Sequence, residues 1–145
     1  MWRFLFSPKG RISRRDWWLK IYFGSLAIVT LGLAVDLLLL KREAPGPASD
    51  VALLLVIWPV IAAYIKRLHD VGRSGWWFLA AVLVDLLCIG AIYFGSRHFD
   101  PRVAAPYYIG AVGVGFAVNA TLLFFMFFVP GQRGVNKYGP DPLMR

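Results

Sequence analysis

Trp76–Gly95 reads WWFLAAVLVDLLCIGAIYFG, twenty residues with a single charged side chain, Asp85. A helix needs about 20 apolar residues to cross a hydrocarbon core of about 30 Å, so this stretch is long enough to span a bilayer. Three more stretches read the same way: Trp17–Leu40, Val51–Leu68 and Tyr107–Val129. A soluble chain of 145 residues has no interior large enough to bury four such helices, and 59% hydrophobic residues exceeds the usual soluble composition. The chain therefore reads as an all-α integral membrane four-helix bundle, one domain over residues 1–145, with spans at about 17–40, 51–68, 76–95 and 107–129.

The basic residues set an orientation. Of the 16 Lys and Arg, twelve lie in the N-terminal segment, the second connection and the tail, against four in the first and third connections. The positive-inside rule then puts both termini in the cytoplasm, and an even number of spans requires the termini on one side. The net charge of +8 is explained by these helix-end cations, not by nucleic acid as a partner. The one cysteine, Cys88, lies inside the third span and reads as a small packing residue. The first apolar run is longer than the roughly 7–15 residues of a signal-peptide core, so it reads as a retained span.

Local signals mark the helix boundaries. Ser13-Arg14-Arg15-Asp16 reads as a capping box opening the first helix. Pro45-Gly46-Pro47 breaks the first connection, Pro59 sits inside the second span, Ser74 is placed to cap the third helix, and Pro130-Gly131 closes the fourth. Ser96–Pro106 reads as a long third connection. Trp17, Trp18, Trp76 and Trp77 form an aromatic belt at one interface.

Three segments together carry a family resemblance. Arg67-Leu68-His69-Asp70-Val71-Gly72-Arg73-Ser74-Gly75-Trp76-Trp77 resembles the signature of the domain-of-unknown-function 805 (DUF805) family, the YhaH-like bacterial inner-membrane proteins. Gly10-Arg11-Ile12-Ser13-Arg14 with Trp17-Trp18 resembles its N-terminal motif, and Gly134, Asn136, Tyr138, Gly139, Pro140, Asp141 and Pro142 its ending. The resemblance implies a small multi-span protein of the bacterial inner (plasma) membrane and carries no activity with it. Family members often have Pro and Gly shortly after the Trp pair, where this chain has Leu83-Val84-Asp85-Leu86, so a role for Asp85 is particular to this chain or a subgroup.

The expected topology gathers these segments on the cytoplasmic face. One reading is an anion site of Arg11, Arg67, Arg73 and Ser74 around a phosphate, with His69, Asp70 and Asn136 beside it, the ligand being a lipid headgroup. The other is that Asp70 and Asp141 pair with these arginines and lock the loops. His69 reads as hydrogen-bonded to Asp70 or a backbone carbonyl. Metal binding lacks ligands, since zinc or iron takes three or four and His98 is expected on the opposite side.

Inside the membrane, Asp85 lies nine residues past Trp76, about 13 Å deep at 1.5 Å per residue. The expectation is a hydrogen bond to Asn119, with Asp85 protonated, in a polar layer with Thr30 and Thr121. Asp36 is expected to pair with Lys41 or Arg42. Ala111/Gly115 and Gly113/Ala117 give small-residue spacings for close helix approach. The partners implied are the lipid bilayer, an anionic phospholipid, and a membrane-protein partner or second copy. No cofactor is implied. A non-enzymatic protein that binds anionic lipid or a partner leads; a proton- or ion-coupled transporter using Asp85 and a lipid-modifying enzyme at the interface using His69 and Asp70 are the alternatives.

Overall fold

The computed structural model describes residues 2–41 and 45–144. Among the described residues, four helices are long and apolar enough to cross a membrane: α2 (Arg14–Leu39), α3 (Pro47–Asp70), α4 (Trp76–His98) and α5 (Pro101–Phe127). A short α1 (Trp2–Phe6) precedes them. The chain divides into two compact units: Met1–Arg73 with Pro130–Arg145, and Ser74–Val129.

The first unit is an α2–α3 hairpin with α1 and the C-terminal tail packed on it. Ser13 caps α2 as its sequence suggests, its Oγ accepting from Asp16 N at 3.1 Å. Asp16 turns outward to Lys20, 2.7 Å away, instead of closing a reciprocal box. α2 contains two π-helical stretches, Trp17–Tyr22 and Val35–Leu39. Against α3 it buries Trp17 and Ile21, and the Trp17 ring meets Tyr64 edge-on at 5.7 Å. At the far end Gly32 has no room for a side chain: a Cβ there would stand 2.9 Å from Ala48 O, Ala52 Cβ and Ser49 Cα. That close approach needs glycine.

Asp36 does not pair with Lys41, and Arg42 lies outside the described residues. The Asp36 carboxylate is fully buried and accepts from the backbone N–H groups of Gly46 (3.1 Å), Ala48 (2.9 Å) and Ser49 (2.8 Å). The first amides of a helix have no intrahelical acceptor, and in a hydrocarbon setting each unsatisfied one costs several kcal/mol (about 1–3 in typical protein sites). Asp36 supplies acceptors for three of them, so it caps α3 across the connection. α3 is consequently longer than its hydropathy suggested, starting at Pro47 and continuing through the Lys66–Asp70 polar end.

α1 is tied to α3 through its carbonyls. Trp58 Nε1 donates to Phe6 O at 2.8 Å, Lys66 Nζ donates to Phe4 O, and the Phe4 ring lies 4.9 Å from Lys66 Nζ and 5.1 Å from Lys20 Nζ.

The second unit is an α4–α5 hairpin. Its connection is only Phe99-Asp100, not the expected Ser96–Pro106. Asp100 caps α5, accepting from Arg102 N at 2.9 Å, and Pro101 takes the first helical position, where a missing N–H is harmless. Pro106 is absorbed inside α5. Asn119 Nδ2 donates to both Asp85 oxygens (3.0 and 3.2 Å) and to Gly115 O (2.9 Å). Thr121 bonds back to Ala117 O of its own helix at 2.8 Å, so within this unit Asp85 and Asn119 make the polar contact between the two helices. Gly115 faces Asp85, with room for a Cβ only at 3.4 Å, whereas Gly113 has nothing within 4 Å; the two small-residue pairs lie on different faces.

Candidate functional site

The start of α2, the end of α3 and the tail meet at one end of the first unit, and Asp70 is the hub. Its Oδ1 accepts from Arg11 Nε at 3.0 Å and its Oδ2 from Arg67 Nη1. Its backbone carbonyl accepts from Gln132 N at 2.8 Å. The three side chains are at most 3% exposed. A buried carboxylate between two guanidinium groups is compensated, and removing it would leave a buried cation. Gly131 lies against this carboxylate so closely that a Cβ would overlap it.

Arg11 reaches from Asp70 to the tail. Nη1 donates to Gly134 O (2.6 Å) and Gly139 O (3.3 Å), and Nη2 to Gln132 O. The planar fork of arginine suits such a multi-acceptor tie. His69 Nδ1 lies 3.2 Å from Gly10 O, a backbone carbonyl, and its ring stacks on Tyr138 at 3.9 Å and 6°. Asn136 Nδ2 donates to His69 O at 3.0 Å, while Asn136 and Gly139 exchange backbone hydrogen bonds around the tail's turn. Gly72, at φ +79°, closes the α3 end beneath the Gln132 side chain. Asp141 accepts from Leu143 N (2.9 Å) and Gly134 N (3.1 Å). The Leu143 amide, helped by Gly134 and by the charges of Arg11 and Arg133, holds the Asp141 carboxyl below the usual carboxylate range against the opposing effect of burial.

The three motif segments therefore come together, but mostly onto one another. Arg11, Arg67, His69, Asp70 and Asn136 form a network of ties. Of the two aspartates expected to lock arginines, Asp70 does so, while Asp141 orders the tail backbone. Arg73 is exposed and its N–H closes a turn to Leu68 O at 2.8 Å; Ser74 Oγ accepts from Trp76 N at 3.4 Å at the start of α4.

Beside this network lies a cleft of about 430 Å³, lined by Ser13, Arg14, Arg15, Arg67, Asp70, Pro130, Gly131, Arg133, Asp141, Pro142 and Leu143. Arg11, His69, Arg73, Ser74 and Asn136 do not line it. Its four arginines face two carboxylates, and Arg14 is near enough to Arg67 for their like charges to repel. Arg14 and Arg15 open α2, where the helix dipole also favours an anion. In the sequence Arg133 counts only as one of the tail's basic residues; its one further signal is its place two residues after Pro130-Gly131, where the chain turns back on itself. Among the described residues, no three His, Cys, Asp or Glu side chains converge as metal ligands would.

Four apolar helices and a charged, internally tied end define a multi-span α-helical membrane protein. The chain belongs to the family described as protein of unknown function (DUF805), whose model matches residues 5–140. It is 33% identical over 148 residues to the uncharacterized protein YiiR of Escherichia coli (strain K12), covering 96% of this chain and 88% of the relative. It is 33% identical over 94 residues to the inner membrane protein YhaH of the same strain, covering 64% and 78% of the two chains. It is 40% identical over 70 residues to the inner membrane protein YhaI, covering 48% and 57%. With its four spanning helices, this chain is likewise a bacterial inner-membrane protein. No solved structure matches it.

Proposed function

We propose that this protein is a non-enzymatic inner-membrane protein, with both termini in the cytoplasm, whose charged end binds the phosphate of an anionic lipid headgroup. The orientation is supported by the distribution of its basic residues, twelve of 16 in the N-terminal segment, second connection and tail. The observation that carries the binding reading is the cleft: Arg14, Arg15, Arg67 and Arg133 around one opening, at the end of helices that cross the bilayer. Headgroup phosphates lie at that level, and guanidinium groups recognise phosphate by charge and paired donors. The ligand-facing arginines are Arg14, Arg15 and Arg133; Arg67, paired with Asp70, also lines the cleft, and Arg11 ties Asp70 to the tail.

The test is native mass spectrometry of protein taken from native membranes in mild detergent. Wild type should retain an anionic phospholipid, and the triple variant Arg14→Glu, Arg15→Glu, Arg133→Glu should lose it while remaining inserted. At about 1 kcal/mol per basic residue near the membrane surface, neutralising three alone weakens binding on the order of 100-fold. Equal lipid retention by wild type and variant would sink the reading. A retained protein in place of lipid would replace it with a partner-binding one.

A further inference from the structure

We propose that a phosphate headgroup seated in this cleft straps the C-terminal tail, residues 130–144, to the first turn of α2. This rests on the headgroup reading above and adds a consequence for the protein's own conformation.

The cleft has two walls from opposite ends of the sequence. Ser13, Arg14 and Arg15 form one; Arg133, Asp141 and Leu143 form the other. The tail is held by polar ties: the Arg11 bonds to Gln132, Gly134 and Gly139 carbonyls, Gln132 N to Asp70 O, Asn136 to His69 O, and the His69–Tyr138 stack. Apolar burial adds little, since Val135, Leu143 and Met144 are 82%, 78% and 78% exposed. A segment held this way opens at a fraction of the free energy needed to unfold the helices. Guanidinium groups stand on both walls, Arg14 and Arg15 on one and Arg133, beside Asp141, on the other. An anion between the walls is attracted to the arginines of each. Because the complete cleft exists only with the tail docked, a ligand that needs both walls must favour the docked state, by a factor set by its concentration over its dissociation constant.

Hydrogen exchange of the full-length protein tests this. After delipidation, the protein is placed in nanodiscs of phosphatidylcholine with or without phosphatidylglycerol, and separately in phosphatidylcholine nanodiscs with inorganic phosphate. At about ten times the dissociation constant, exchange of tail amides 134–143 should slow roughly tenfold. Slowing by phosphatidylglycerol alone assigns the lipid as the strap's ligand; slowing by inorganic phosphate as well shows that phosphate suffices. Arg133→Gln and Arg15→Gln, both exposed positions, should each remove most of the slowing, whereas Lys137→Gln, on the tail but outside the cleft, should keep it. Equal loss in Lys137→Gln would overturn the strap in favour of diffuse attraction of the tail to the membrane. Lipid retained by mass spectrometry with tail exchange unchanged would overturn the strap and leave the headgroup site standing. No lipid retained would overturn the headgroup reading itself.

Discussion

The α2–α3 hairpin keeps its decisive polar groups at its two ends, whereas the α4–α5 hairpin carries a carboxylate in its middle. In the first, Asp36 gathers three backbone amides at one end and Asp70 gathers two arginines at the other. In the second, Asp85 meets the side-chain amide of Asn119. The carboxylates of the first hairpin answer groups that are costly to leave alone, orphan helix amides and buried guanidinium ions. Asp85 answers a neutral amide that already bonds to Gly115 O. Removing a carboxylate should therefore be far more damaging in the first hairpin than in the second.

The largest effect is expected at Asp70. Asp70→Asn removes the negative charge between Arg11 and Arg67 and leaves two buried cations facing a carboxamide. Breaking a buried pair from one side costs about 3–5 kcal/mol. Thermal unfolding in detergent should show a marked fall in Tm and early release of the tail. A wild-type Tm in Asp70→Asn would mean that water or lipid, not Asp70, compensates these arginines.

Asp36→Asn should come next. Asp36 Oδ2 accepts from both Gly46 N and Ser49 N, and Oδ1 from Ala48 N. Asparagine keeps one acceptor and turns an NH₂ toward a backbone donor, whichever way it flips. The same melt should show a clear loss for Asp36→Asn and a smaller one for Asp85→Asn. At Asp85 an amide flip restores a bond to Asn119, and cross-helix polar bonds in membranes are worth about 0.6–2 kcal/mol. If Asp85→Asn proved the more damaging, the contrast between the two hairpins would fail, and flux measurements in vesicles would become the next experiment.

The same contrast explains what the sequence could and could not show. Spans are visible because hydropathy and length are local properties, and Ser13 is visible because a cap acts over three residues. Asp85 with Asn119 was legible from depth alone, since an isolated polar group in a membrane helix must seek another at its own level. Asp36 was not, because its partners lie ten to thirteen residues on, across a connection, and only the fold brings them back. Hydropathy alone makes the α4–α5 turn long, because the apolar stretches stop at Gly95 and resume at Tyr107, whereas Asp100-Pro101 starts the helix six residues earlier. At the charged end, the motifs named residues that the fold ties to one another, and which side chains stay open to a ligand depends on those ties. Arg11 is an obvious anion donor until its fork is seen to be occupied by three tail carbonyls and Asp70. Arg133 becomes a cleft residue only once the tail has folded back.

The mildest expected effect separates Asp141 from Asp70, the two acids of the charged end. Asp141 shapes the tail through the amides of Leu143 and Gly134, and these hold its carboxyl below the ordinary carboxylate range. The docked tail thus binds a proton on this group less readily than the free tail does. Its contribution to docking is complete above the free-chain value of about 3.9 and fades as pH falls through the lower docked value. Amide resonances of Gly134 and Leu143, followed by NMR in detergent from pH 6 to pH 3, should remain at their docked positions to about pH 4 and shift together below it. In Asp141→Asn they should begin at the displaced positions and lose this dependence, while the Asp70 network still holds Gln132 in place. Should the variant keep the wild-type pH profile, the acid-sensitive tie would have to be Asp70, and the tail would be secured at its root rather than along its turn.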